Sequence, residues 1–302
     1  MSDATQANWI AVDWGTSNLR AWAMDRDRPV AEAATDDGMG SLEKSEFEPA
    51  LFSVVEPWLT VDPMPIIACG MVGSLQGWVE APYLATPTRP LSGETVRADA
   101  RDSRISVHVI PGIKQLDPPD VMRGEETQIA GFLKADPGFD GVICLPGTHT
   151  KWVQISAGEV VSFRTFLTGE MFNLMSTKSV LRHSVGGGWD TGAFADAITD
   201  TMARPETLAA QMFKLRADDL LNGTPPDTTR SRLSGLLIGA ELAAARAYWL
   251  GQRIALIGNE NLAKLYATAL DQQGAQAEIV DATAATLAGL GVAHELIKET
   301  ST

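Results

Sequence analysis

Ala11-Val12-Asp13-Trp14-Gly15-Thr16-Ser17-Asn18-Leu19-Arg20 decides how this chain is read, and Leu145-Pro146-Gly147-Thr148-His149-Thr150-Lys151-Trp152 is its counterpart. In the first stretch residues 9–13 read as a buried strand, 14–18 as a polar turn and 19–24 as a second strand. After the Asp25-Arg26-Asp27-Arg28 turn, residues 29–34 form a third. Short β-rich runs bounded by turn residues make a three-strand meander. Beyond Asp136-Pro137-Gly138 the pattern begins again, with strands at 142–145, 151–155 and 160–164. Two meanders with a Gly-Thr turn at the same place predict an internal duplication.

Working outward, a helical period covers 46–59, and a buried strand at 66–69 ends in Gly70-Met71-Val72-Gly73-Ser74. A strand at 105–110 precedes a helix opened by Arg123-Gly124-Glu125-Glu126 and running to about residue 134. After the second meander come helices near 169–178, 205–215 and 231–250, a strand at 254–257, a helix at 262–270 and a strand at 278–280. The last helix is expected at 284–297, and Gly186-Gly187-Gly188 reads as a flexible loop. The expected class is α/β with two similar lobes, 1–136 and 137–302. The last helix is as suited to returning to the first lobe as to packing on a second copy in a homodimer.

At 302 residues the chain can bury two cores, and 45% apolar with 21% charged residues is ordinary for a globular protein. A net charge of −14 without a basic run argues against nucleic-acid binding. No apolar run reaches membrane-spanning length, and the polar first eight residues lack a signal core. Cys69 and Cys144 are isolated thiols in apolar runs, as expected of reduced, buried cysteines in the cytoplasm; neither has a partner at zinc-site spacing.

The G-x-x-x-x-G-K-[ST] phosphate loop is missing. In its place stand two hairpin turns rich in Gly, Thr and Ser, which let backbone approach phosphate and add hydroxyl donors. Asp13 ends the first strand before its turn, a place for a metal-orienting carboxylate or an ordinary turn residue. Leu145 occupies the matching place before the second turn, which carries His149 and Lys151 instead. Glu125 and Glu126 suit the positive end of a helix, and one of them is also placed to take a proton from a hydroxyl. Gly258 and Asn259 follow a buried strand at the top of a helix, where a nucleoside can lie against backbone.

In this order the elements resemble the sugar kinase, Hsp70 and actin superfamily, and within it the 2-keto-3-deoxygalactonate kinase family. The resemblance is carried by residues 11–20, Cys69-Gly70-Met71-Val72-Gly73-Ser74 with Gln76-Gly77-Trp78, Arg123-Gly124-Glu125-Glu126-Thr127-Gln128, residues 145–152 and Thr165-Phe166-Leu167-Thr168-Gly169-Glu170. It implies two duplicated ribonuclease H-like lobes around an interlobe cleft, with ATP and Mg²⁺ as cofactors and a small sugar acid as substrate. Carried over, Asp13 orients Mg²⁺. Gly15, Thr16, Ser17, Gly147, Thr148, His149 and Lys151 hold phosphates, and Gly258 and Asn259 meet adenosine. Glu125 is the base, with Glu126 its competitor. Ser74, Gln76 and Thr168 face the sugar acid, whose carboxylate pairs with Arg89, Arg123 or Arg164. The chain lacks the acid that many superfamily members carry before the second turn. Rival readings are a phosphohydrolase of exopolyphosphatase type, disfavoured by the scarcity of Lys and Arg, and a non-catalytic sugar sensor.

Overall fold

The hydrophobic alternation of the first strand sorts its side chains onto two faces. In β1 (Trp9–Trp14), Ile10, Val12 and Trp14 pack with Phe47 and Leu51 of a helix on one face. Trp9 and Ala11 pack with Ala130, Leu290 and Ala293 of two helices on the other. A strand buried on both sides in this way is the centre of a helix-covered sheet. The structure, a computed structural model, describes residues 7–300. These divide into two compact units: residues up to Phe139 with Ser156–Ser162 and those from Ala282 on, and Asp140–Ile155 with Phe163–Asp281.

In the first unit β1 is followed by β2 (Leu19–Asp25), β3 (Arg28–Thr35), α1 (Phe47–Val55), β4 (Met64–Gly70), β5 (Tyr83–Ala85), β6 (Val96–Arg97), β7 (Ile105–Val109), β8 (Gly112–Gln115), β9 (Asp120–Met122) and α2 (Glu125–Ala135). The main sheet has the order β3-β2-β1-β4-β7-β6, and β5, β8 and β9 form a small second sheet. The first three strands are the expected antiparallel meander, while β4 runs parallel to β1 and β7 to β4.

The second unit holds β10 (Gly141–Leu145), β11 (Thr150–Ser156) up to Ile155, the second half of β12 (Glu159–Phe166), α3 (Thr168–Thr177), α4 (Thr191–Ala203), α5 (Leu208–Asn222), α6 (Pro226–Ala244), α7 (Arg246–Trp249), β13 (Ile254–Gly258), α8 (Glu260–Asp271) and β14 (Ala277–Asp281). Its sheet order is β12-β11-β10-β13-β14, with β10, β13 and β14 parallel. The meander followed by two parallel strands thus occurs twice, which is the expected duplication. Phe194 and Ile198 of α4, Ile238 and Leu242 of α6, and Tyr266 and Leu270 of α8 share one core with Val142, Leu256 and Trp152 of the sheet.

The chain ends in α9 (Ala282–Thr300), which packs on α2 in the first unit. The two helix backbones are nearly in contact. A Cβ on Gly131 would lie 1.9 Å from the Ala285 carbonyl oxygen, and one on Gly289 1.9 Å from that of Thr127.

Candidate active site

In the first unit, polar groups gather where β1 and β4 end and α2 begins. Asp13 lies opposite Cys69, and Trp14 opposite Gly70, so the two parallel strands end at one level. The partly exposed Asp13 carboxylate accepts a hydrogen bond from Arg20 Nη2 at 2.5 Å, and Arg20 is its register partner across the hairpin. The turn beyond is braced from behind: the Gly15 and Thr16 carbonyls accept the Met39 and Gly40 N–H groups, each at 2.9 Å. Thr16 and Ser17 are left exposed at its tip.

Helix α2 starts against the same strand ends. Gly124, at φ 109°, takes a backbone conformation that side chains resist, and a Cβ there would lie 3.3 Å from Gly70 Cα. The two acids that follow are held differently. Glu126 is fully buried, both its oxygens accept the Gly124 N–H at 2.8 Å, and burial beside the Glu125 charge pushes its carboxyl up to about 7. Glu125 is partly exposed, and its Oε2 accepts the Arg123 N–H at 3.0 Å. The buried Cys69 thiol is pushed up by burial and then by the charges of Asp13 and Glu126, so both acids bear on one spot.

Of the residues expected at the sugar acid, Ser74 and Arg123 are buried and share a neighbourhood: a Cβ on Gly73 would lie 2.9 Å from Arg123 Nη1. Arg123 Nη2 donates to the Ala81 carbonyl at 2.7 Å, and the guanidinium lies 4.2 Å above the centre of the Tyr83 ring. Ser74 Oγ and Arg123 Nη1 are, among the described residues, the two buried side-chain atoms without a hydrogen-bond partner. Gln76, Arg89 and Arg164 are exposed.

In the second unit Leu145 faces Lys151 across the hairpin. Helix α3 is fastened to the turn between them. The Glu170 N–H donates to the Thr148 carbonyl at 2.9 Å, and His149 Nε2 lies 2.7 Å from Glu170 Oε2. Gly169 permits the approach, since a Cβ there would lie 2.2 Å from the Gly147 carbonyl oxygen. Lys151 is buried, with Nζ donating to Thr165 Oγ1 of β12 at 3.0 Å. Gly258 ends β13, and Asn259 caps α8 by accepting the Asn261 and Leu262 N–H groups.

Beside this turn is a cavity of about 380 Å³. Gly147, Thr148, Thr168 and Asn259 line it with polar groups, and Phe172, Trp189, Leu237 and Leu262 are among its apolar walls. Arg230 also faces it and lies 5.1 Å above the centre of the Phe172 ring. An apolar pocket of this size with a few convergent polar groups suits a nucleoside. Thr168, expected at the sugar acid, therefore stands with Gly147, Thr148 and Asn259. The stretch 186–188 is not the loose loop expected. The Gly186 N–H donates to the Pro226 carbonyl at 2.9 Å and the Gly188 N–H to Asp227 Oδ1 at 2.8 Å, which sets Trp189 at the cavity.

Residues 13–293 match the sequence profile of the 2-keto-3-deoxy-galactonokinase family. The chain belongs to this family. A probable 2-dehydro-3-deoxygalactonokinase of Rhizobium meliloti (strain 1021) is 39% identical over 303 residues, covering 97% of this chain and 98% of its own. The 2-dehydro-3-deoxygalactonokinase of Escherichia coli (strain K12) is 34% identical over 297 residues, covering 95% and 98%. The crystal structure of a protein from Sinorhizobium meliloti, assigned as a 2-dehydro-3-deoxygalactonokinase, superposes with a TM-score of 0.87 at 38% identity, covering 96% of this chain and 99% of that one. The fold is the sugar kinase, Hsp70 and actin type that the resemblance implied.

Within the 2-keto-3-deoxy-galactonokinase frame, sequence reasoning passed over Arg20, Arg230, Trp189 and Glu241. The register of the first hairpin was a signal for Arg20, because a cation opposite Asp13 is its natural partner. Glu241 is the single acid in the apolar run 233–245, and that pattern marks a buried carboxylate. Arg230 and Trp189 carried no such mark, because their place depends on how α6 and the 186–188 stretch pack.

Proposed function

We propose that this kinase transfers the γ-phosphoryl of ATP to the terminal (6-) hydroxyl of 2-dehydro-3-deoxy-D-galactonate in the cytoplasm, giving 2-dehydro-3-deoxy-6-phosphogalactonate for galactonate breakdown. The observation that carries the reading is the pair of strand ends in the first unit. There a partly exposed Glu125 starts its helix against the end of β4, the strand paired with β1 and its Asp13, a constellation that suits phosphoryl transfer to a hydroxyl.

Glu125, steadied through Oε2 by the Arg123 N–H, accepts the proton of the attacking hydroxyl. Glu126 is enclosed and doubly bonded to the Gly124 N–H, so it sets the helix start rather than meeting substrate. The sugar acid falls to Ser74, Gln76 and Arg123. A buried hydroxyl and a buried guanidinium nitrogen without partners are groups that ordinarily hold a water or a ligand. Gly15, Thr16 and Ser17 on one turn, and Gly147, Thr148 and His149 on the other, supply phosphate donors. Lys151 adds positive charge beneath the second turn, and adenosine lies along Gly258 and Asn259.

Among the described residues no group of three or more His, Cys, Asp or Glu side chains is arranged to hold a metal. Mg²⁺ is commonly bound by one or two carboxylates, and the partly exposed Asp13 at the end of β1 is the carboxylate that would hold it. Bound there, Mg²⁺ supplies neutralisation of phosphate charge. Arg20 orients the Asp13 carboxylate from across the hairpin.

ADP release from Mg²⁺-ATP, measured across a panel of aldonates and 2-keto-3-deoxy aldonates, tests the reading. The expected result is a strong response to 2-keto-3-deoxygalactonate. ADP formed equally without any sugar acid, or no ADP under any condition, overturns it.

A further inference from the structure

Glu241 of α6 is 3% exposed, yet the steps above do not use it. Its Oε1 accepts the Trp152 Nε1–H of β11 at 2.8 Å, and its Oε2 accepts the Tyr266 hydroxyl of α8 at 2.8 Å. The Thr168 hydroxyl, at the first position of α3, donates to the same Oε2. Thr150 of β11 bonds in turn to the Tyr266 hydroxyl at 3.0 Å. One carboxylate thus joins four elements. Two of its donors, Thr168 and Tyr266, line the cavity, and Thr150 and Trp152 follow directly on the Gly147–His149 turn.

An ionised carboxylate only accepts hydrogen bonds. A threonine hydroxyl has one proton, and that of Thr168 goes to Glu241. Towards anything else Thr168 offers lone pairs alone. The Tyr266 proton is committed in the same way. The direction of these bonds follows from the acid beneath them, and a neutral amide at position 241 would let either hydroxyl turn round.

We propose that Glu241 is a positioning residue of the nucleotide cavity, which fixes Thr168 as a hydrogen-bond acceptor and so selects a nucleoside group that donates, a ribose hydroxyl or the exocyclic amine. The proposal rests on the cavity being the ATP site. It assigns Thr168 to the nucleoside rather than to the sugar acid.

Calorimetric binding of ADP, 2′-deoxy-ADP, 3′-deoxy-ADP and the 6-deamino analogue to the wild type, Glu241→Gln and Thr168→Val tests this. At pH 8 Glu241, pushed up to about 7 by burial, is ionised. One analogue should bind the wild type about tenfold more weakly than ADP, the loss of one hydrogen bond. Which one it is tells a ribose hydroxyl from the amine. Both variants should bind ADP about tenfold more weakly, show no further penalty for that analogue and keep the wild-type KM for the sugar acid. Thr168→Val keeps the side-chain volume and serves if Glu241→Gln does not fold. Wild-type ADP affinity in both variants, or an undiminished analogue penalty in both, overturns the proposal. ADP that fails to bind the wild type overturns the nucleotide reading itself.

Discussion

The two hairpins are built alike and carry opposite chemistry. In the first, register sets Asp13 opposite Arg20, and the two side chains pair at 2.5 Å. In the second, the matching register sets Leu145 opposite Lys151. With an apolar residue facing it, the Lys151 ammonium turns to Thr165 on the next strand, and Leu145 stays in the core. One duplicated frame thus sets a carboxylate at the end of the first strand of one hairpin and an apolar residue at the matching place of the other. In the function proposed above both turns donate to phosphates, the first adds the carboxylate that would orient Mg²⁺, and the second lies beside the cavity proposed for the nucleoside.

The comparison is sharpened first at Glu125, where Glu125→Gln is expected to lower kcat by about 10²–10⁴-fold with Mg²⁺-ATP binding kept. Steady-state kinetics beside Glu126→Gln decides between the two acids, and an active Glu125→Gln with an inactive Glu126→Gln would reverse the assignment. Next in size, Arg123→Met should raise the KM for the sugar acid roughly 10–100-fold, the loss of a hydrogen bond to a charged group, while the KM for ATP stays within about twofold. An unchanged sugar-acid KM would return the carboxylate to Arg89 or Arg164. Lys151→Met should raise the KM for ATP about tenfold, and a larger effect on the sugar acid would contradict the division between turns.

The smallest effect is on stability. Glu126 holds its proton up to about pH 7 in the folded protein and to about 4.5 in the unfolded chain, so its contribution to stability falls as pH rises through that window. Glu126→Gln cannot ionise and should be more stable than wild type at pH 8 by ~1–3 kcal/mol, with little difference at pH 4. Thermal melts at the two pH values read this directly, and an equal shift at both would show a packing effect instead.

Much of the frame was legible because it rests on short-range signals. The Asp-Trp-Gly-Thr and Pro-Gly-Thr-His turns, the alternation in β1 and the acids opening α2 all lie within a few residues of one another. Helix α4 was not foreseen. Its buried face is only Phe194, Ala197, Ile198 and Thr201, broken by Asp196 and Asp200, and it forms by packing on α6. The cavity escaped notice for a similar reason. Leu237 and Ile238 lie in a stretch legible only as a helix, and the packing of α3, α6 and α8 turns them into its wall. Thr168 was expected at the sugar acid, and its place in the cavity wall was not legible, because its hydroxyl meets a carboxylate 73 residues further on.

The most direct test of the central claim is to measure Asp13→Asn twice, for turnover of 2-keto-3-deoxygalactonate with Mg²⁺-ATP and for calorimetric binding of metal-free ADP. With Mg²⁺ proposed at Asp13 and adenosine at the cavity of the second unit, turnover should fall by about 10³-fold or more while ADP affinity stays within about twofold. Near wild-type turnover, or a loss of ADP binding as large as the loss of turnover, would contradict that division.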